Sequence, residues 1–263
     1  MDLAGRSVLL TGASGGIGAA TAQALAARGA RLLLHGRRAG VLEALAAAVG
    51  GRVLLADLAE PDGPTRLLAE AGDVDVFVAG AALPASGDLR SFSPEEIDRA
   101  LAVNLRAPIQ LARGLAGPMV ARGSGALVFV SSLSGKTAGP HSALYSATKF
   151  GLRGFALGLR QDLAGAGVGV SCVFPGFVRE AGMFADSGAR LPPGVGSSSP
   201  AQVAAGIVRA IEDDRAEVDV APAALRLGAR LAGLAPATAA SVQRRLGGSA
   251  LARSIADGQR AKR

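Results

Sequence analysis

Thr11-Gly12-Ala13-Ser14-Gly15-Gly16-Ile17-Gly18 stands between a short apolar run, Arg6 to Leu10, and a segment, Gly16 to Arg28, that reads as a helix closed by Gly29. Strand, glycine-rich loop and helix in that order form the context a dinucleotide-binding fingerprint requires. Gly12, Gly16 and Gly18 let the backbone turn tightly and approach a pyrophosphate. The helix that follows offers free N–H groups and the positive end of its dipole to that anion. Ser14 and Ile17 lie in the same loop and join the candidate contacts. The bland alternative is a glycine-rich turn with no ligand.

The alternation continues outward from this loop. Further strands are predicted at Arg31 to His35, Arg52 to Ala56, Val74 to Ala79, Ala126 to Ser131, Val168 to Phe174 and Glu217 to Val220. Helices are predicted between them, at Ala39 to Val49, Pro61 to Ala71, from Ser93-Pro94 onward, over 104–122, and at Ser142 to Ala164. Another runs from Ser199-Pro200 to about Asp213. Short apolar strands alternating with helices predict an α/β fold. It is a Rossmann-type doubly wound, mainly parallel seven-stranded sheet with helices on both faces. Residues 1–221 would form this domain and 222–263 a basic amphipathic extension, with 247–263 read as a frayed or disordered end.

Composition narrows the class. Hydrophobic residues make up 49% of the chain but aromatics only 3%, so the core must be built from Ala, Leu and Val. The single cysteine, Cys172, excludes an intramolecular disulfide framework and sits in an apolar run that predicts a buried thiol. No Cys/His cluster suggests a metal. The N-terminus lacks the order of a signal peptide and no apolar stretch is long enough to span a bilayer, so a cytoplasmic protein is expected. Residues 222–263 hold seven Arg, one Lys and one Asp, which carries the whole net charge of +7. The neutral body gives no electrostatic reason to expect nucleic acid.

The only tyrosine of the chain, Tyr145, precedes one of three lysines, Lys149, by four residues. On a helix the two side chains share one face. A phenol beside an ammonium is a usable acid/base, because the cation favours the phenolate and lowers its pKa from ~10. This predicts a phenol pKa well below ~10 in the holo-enzyme. An exposed tyrosine and a solvated lysine are the structural alternative. At the end of the second predicted strand stands His35-Gly36-Arg37-Arg38, with no carboxylate until Glu43. Two guanidinium groups suit a 2′-phosphate, so NADP(H) is expected over NAD(H).

Together the glycine loop and Tyr145/Lys149 resemble the short-chain dehydrogenase/reductase family, single-domain branch, from about residue 4 to 221. Asp57-Leu58, Val103-Asn104-Leu105, Ser131-Ser132 and Pro175-Gly176 add to the resemblance. It implies roles residue by residue. Tyr145 would donate the proton in carbonyl reduction and accept it in alcohol oxidation. Lys149 would bond the nicotinamide ribose and tune Tyr145. Ser132 would hold the substrate oxygen, and Asn104 would position a water in a relay to Lys149. Asp57 would contact the adenine with Leu58 nearby. Gly80 would border the cofactor, and Pro175, Gly176 and Val178 would face the nicotinamide. Two places depart from the family pattern. Ala79-Gly80-Ala81-Ala82 stands where Asn-Asn-Ala-Gly is usual, and Phe177 follows Pro175-Gly176 where a Thr is frequent.

A loop over 177–199 would close on a small carbonyl or alcohol substrate. Phe177, Met183, Phe184 and Leu191, with Leu83, Leu133 and Leu144, suggest an apolar pocket. His141 reads as a solvated loop residue beside the entrance. In the tail, Leu227, Leu231 and Leu234 recur at helical spacing beside Arg226 and Arg230. That pattern suits packing in a homodimer or homotetramer, or a cap on the pocket, and admits weak contact with an anionic membrane surface. The leading function is an NADP(H)-dependent carbonyl reductase or alcohol dehydrogenase. A non-catalytic NADP(H)-binding regulator is the main alternative, and an epimerase or dehydratase of the larger related branch is a third.

Overall fold

Alternation along the first strand shows how the molecule is layered. In β1 (Ser7–Thr11), Leu9 packs into one buried cluster while Val8 and Leu10 pack into another. A strand covered on both faces reads this way, because successive side chains point to opposite sides. The other strands are β2 (Arg31–Gly36), β3 (Arg52–Leu55), β4 (Val76–Ala79), β5 (Gly125–Val130), β6 (Val168–Pro175) and β7 (Glu217–Val220). All neighbours pair in parallel, in the order β3-β2-β1-β4-β5-β6-β7. The computed structural model describes residues 1–245 and 248–262.

The doubly wound, seven-stranded parallel fold expected from the sequence is therefore the fold observed. The helices of the domain are α1 (Gly16–Ala26), α2 (Ala39–Val49), α3 (Gly63–Ala71), α4 (Pro94–Leu101), α5 (Ala107–Arg122), α6 (Ala143–Asp162), α7 (Met183–Asp186) and α8 (Pro200–Glu212). Strand order reverses between β1 and β4, which opens a crevice at the carboxyl ends of the strands. Aromatic rings are few but central: Phe77 and Phe129 meet edge to face at 6.3 Å. No described helix is long and apolar enough to cross a membrane.

The predicted 104–122 helix differs in its first turn. A π-helical turn over Ala102–Arg106 joins α4 to α5. Pro108 has no N–H to give to the Asn104 carbonyl four residues back, so the regular ladder cannot pass this point.

The tail departs most. It forms α9 (Ala223–Leu234), α10 (Pro236–Arg245) and α11 (Gly248–Gln259). Residues 248–262 are thus not a frayed end, whereas 247 and 263 lie outside the described residues. Gln259 is buried and donates to the Met183 carbonyl at 3.0 Å, and Lys262 pairs with Asp186 at 2.9 Å. Gly258 allows this docking, since a Cβ there would lie 2.1 Å from the Ser187 carbonyl oxygen. On α9 it is Ala229 and Ala232 that are buried, while Leu227, Leu231 and Leu234 of the predicted stripe are 58%, 55% and 84% exposed.

Candidate active site

The glycine loop is held by backbone constraints. Gly12 sits at φ +74°, and a Cβ on it would lie 2.8 Å from the backbone of Gly80 and Ala81 at the end of β4. Gly80 is equally confined, since its Cβ would meet the Thr11 carbonyl oxygen at 2.8 Å. Thr11 ties the two strand ends together. Its Oγ1 accepts from the N–H groups of Gly80 at 3.1 Å and Ala81 at 3.3 Å. A threonine hydroxyl on backbone N–H groups therefore bridges the sheet here, where Ala79-Gly80-Ala81-Ala82 offers no side-chain amide.

Gly15 precedes α1 without a side-chain cap, so the first N–H groups of that helix remain available to an anion. Arg38 reaches back to donate to the Ser14 carbonyl, which places its guanidinium beside the loop. Arg37 is half exposed and lies 3.5 Å from Asp57. Asp57 also accepts from Arg99 at 3.0 Å and from the Ala59 N–H at 2.9 Å. Partial burial acts to raise its pKa, but the Ala59 N–H, Arg99 and Arg37 outweigh it and hold the carboxyl below the usual range. Sequence reasoning missed Arg99, which no local pattern connects to a residue 42 positions earlier.

One cavity of about 1250 Å³ joins these groups to the second half of the site. Gly12, Ser14, Gly16, Ile17 and Gly18 line it, as do Arg37, Arg38, Asp57, Leu58 and Gly80. Ser132, Tyr145, Lys149, Pro175, Gly176 and Val178 line it too. Of the predicted site residues only Asn104 stands behind the wall, and its neighbour Val103 faces the cavity. The Asn104 amide is buried and committed to Leu83, accepting from its N–H at 2.6 Å and donating to its carbonyl at 2.9 Å. Of the apolar residues expected around the substrate, Leu83, Leu133, Phe177, Met183 and Phe184 line the cavity. Leu144 instead packs with Ala85, Phe92 and Ala100, and Leu191 lies outside the lining.

Tyr145 and Lys149 lie one turn apart on α6, whose start is pinned by the Tyr145 N–H to the Ala85 carbonyl at 3.1 Å. Ser131 Oγ donates to the Lys149 carbonyl at 3.0 Å and so fixes α6 against the end of β5. Ser132, extended at φ −166°, accepts from the Ser134 N–H at 3.1 Å. Two of the three lysines have carboxylate partners: Lys136 lies 2.6 Å from Asp219 and 2.9 Å from Glu217, and Lys262 pairs with Asp186. Lys149 has none among the described residues, and its Nζ donates to the Val130 carbonyl at 3.0 Å. Burial lowers its pKa to about 8. Burial pushes the Tyr145 phenol up, with a hydrogen bond to Ser132 pulling against it. The phenol of this structure thus departs from the lowered value expected of the holo-enzyme. The Lys149 ammonium stands 5.7 Å from the ring centroid.

His35 also lines the cavity. Its Nε2 lies 3.1 Å from the Ala56 carbonyl oxygen, and its Nδ1 is buried without a partner among the described residues. Burial lowers its pKa to about 4, against the weaker pull of Ala56 and Asp57. Between about 4 and the ordinary 6.5 the unfolded chain binds a proton that the folded chain refuses. Stability is therefore complete above 6.5 and is lost as the pH falls through that window. Urea unfolding at pH 7 and 4.5 is expected to show about 2 kcal/mol of loss from this group alone. His35→Asn should lack it, and equal losses in the two proteins would reject the assignment.

These features fit a dinucleotide. The cavity exceeds the ~300–1,000 Å³ of an ordinary ligand site. Side-chain-free backbone and an uncapped helix line one end, guanidinium groups flank it, and an unpaired His35 nitrogen borders it. Over residues 6–191 the chain matches the family described as short chain dehydrogenase. It is 36% identical over 227 residues to the ketoacyl reductase HetN of Nostoc sp. (strain PCC 7120 / SAG 25.82 / UTEX 2576), a match covering 83% of this chain and 79% of that protein. It is 40% identical over 186 residues to nodulation protein G of Rhizobium sp. (strain N33), covering 68% and 76%. A short-chain dehydrogenase from Sphingobium yanoikuyae, solved in complex with NADPH, is similar at a TM-score of 0.77 and 28% identity, covering 89% of this chain and 94% of the other.

Proposed function

We propose that this chain, which belongs to the short-chain dehydrogenase family, reduces a carbonyl group to a secondary alcohol with NADP(H), Tyr145 serving as the acid. As a member of that family the chain is an NAD(P)-dependent oxidoreductase. The observation that carries the finer reading is a shared cavity. Ser132, Tyr145 and Lys149 open on the same space as the glycine loop.

When bound, the nicotinamide supplies the hydride. The residues of the chain handle the charge that appears on the carbonyl oxygen. Ser132 Oγ already accepts from the Ser134 N–H, so its own proton, which meets the Tyr145 hydroxyl in this structure, can turn to that oxygen. Tyr145 donates from the other side and passes its proton on as the alcohol forms. Lys149, an ammonium with a pKa of about 8 and no carboxylate to quench it, favours the phenolate that remains. Its proton is the next to be drawn on. The Asn104 amide is committed to Leu83, so the carbonyl that Pro108 leaves without its usual donor is the group proposed to hold a relay water. The π-turn carrying it packs against α6.

Arg37 and Arg38 support NADP(H). Both line the cavity, Arg38 beside the glycine loop and Arg37 beside Asp57, and neither is locked in a buried ion pair. Replacing either by Ala is expected to weaken NADPH binding on the order of tenfold while NADH binding changes little. Fluorescence titration with both nucleotides checks this. Parallel weakening of the two, or tighter NADH binding by the native protein, would point to NAD(H).

A further inference from the structure

We propose that α9 and α11 form a chamber for the substrate's aliphatic chain, and that Gln259 receives a hydrogen-bond donor carried by that substrate. The proposal rests on the carbonyl-reduction reading and names the class of molecule: a long-chain carbonyl compound bearing an amide N–H or a hydroxyl.

The family match ends at residue 191, yet the cavity does not. It is also walled by Leu225, Gly228 and Ala232 of α9 and by Leu251 and Ile255 of α11. Leu225, Gly228 and Ala232 stand three and four residues apart, and Leu251 and Ile255 four apart, so each helix lays one face along the space. The faces that α9 and α11 turn to it are mainly aliphatic and carry no aromatic ring. Gly228 and Ala232 on one side keep it open, and large side chains on the other give it dispersion contacts. A flexible methylene chain fills such a space, whereas a rigid fused-ring body would need flat walls.

Gln259 contributes the second observation. It is 3% exposed, lines the cavity and spends its Nε2 on the Met183 carbonyl. Its Oε1 has no partner among the described residues. The bond to Met183 fixes which end of the amide is the oxygen. A buried carbonyl left unpaired is costly, and a ligand donor would satisfy it. The end of α11 is held there by Gly258 against Ser187 and by Lys262 on Asp186. The chain's own C-terminal segment thus borders the chamber, docked on the loop that also carries Phe177 and Phe184.

The test compares 3-oxo esters of four and twelve carbons, and a twelve-carbon 3-oxo amide, by NADPH oxidation and by calorimetric titration into NADPH-loaded protein. Each methylene buried can add up to roughly fourfold in affinity. The native protein is expected to prefer the long ester at least tenfold, and Ala232→Phe should cut that preference at least tenfold. Gln259→Leu should weaken the amide about tenfold relative to the ester of the same length. Turnover without any chain-length preference would overturn the chamber, and equal effects of Gln259→Leu on amide and ester would overturn the donor contact. If nothing turns over, the carbonyl-reduction reading fails. The titrations still decide the chamber, because chain-length-dependent binding supports it and flat binding rejects it.

Discussion

Replacing Tyr145 by Phe is expected to lower kcat for carbonyl reduction by about 10²–10⁴-fold while NADPH still binds. The substitution removes one hydroxyl and keeps the ring that packs with Ala85, Phe92 and Leu144. Folding should therefore survive. What is lost is the proton and one of two donors to the developing oxyanion, since Ser132 alone remains. Ser132→Ala should cost less, because the acid stays in place. The sole tyrosine also gives a spectroscopic check, with no tryptophan to interfere. In the free protein, burial should hold tyrosinate formation above the ordinary value. In the holo-protein it should appear well below ~10, where Lys149 counts. Full activity in the Phe variant would remove Tyr145 from the mechanism. NADPH binding by the native protein with no turnover on any carbonyl or alcohol would favour a regulator instead.

Much of this site is legible because its geometry is local. Gly12, Gly16 and Gly18 announce a tight loop in one stretch, and Tyr145 and Lys149 need only one turn of helix to meet. What stays hidden is contact across the fold. Arg99 reaches Asp57 from α4, and Thr11 accepts from backbone N–H groups at the end of β4. Neither has a spacing that sequence can display. The tail fails for a different reason. Apolar residues surround most of α9, so periodicity gives a helix without saying which face is covered. The close approach went to Ala229 and Ala232, and Leu227 and Leu234 were left outside. The docking of α11 depends on Gly258 and Gln259, residues that read as breakers and surface groups until their partners at Met183 and Ser187 are known.

Gly18→Ala is expected to abolish measurable NADPH binding, raising Kd at least 10²-fold, and to lower stability by about 2–3 kcal/mol. The added Cβ would lie 2.2 Å from the Gly12 carbonyl oxygen and 2.7 Å from the Ala13 Cα. Both neighbours are backbone, so no side chain can swing aside. The loop cannot retreat as a body either. Gly12 is itself at φ +74°, with the space for a Cβ already taken by Gly80 and Ala81. Thr11 holds those two residues through their N–H groups. Strain at Gly18 must then distort the loop, or lift the start of α1 away from it. Either movement misdirects the N–H groups offered to the pyrophosphate, where an error of a fraction of an ångström weakens every bond at once. Gly40→Ala is the matched control. It lies in the first turn of α2 with nothing within 4 Å of a new Cβ, so it should be neutral or stabilising by a few tenths of a kcal/mol. Calorimetric titration with NADPH and urea unfolding of the two variants separate the outcomes. If Gly18→Ala bound NADPH as Gly40→Ala does, close backbone approach would not be what this loop is built for, and the anion would have to be held by Arg37 and Arg38 instead.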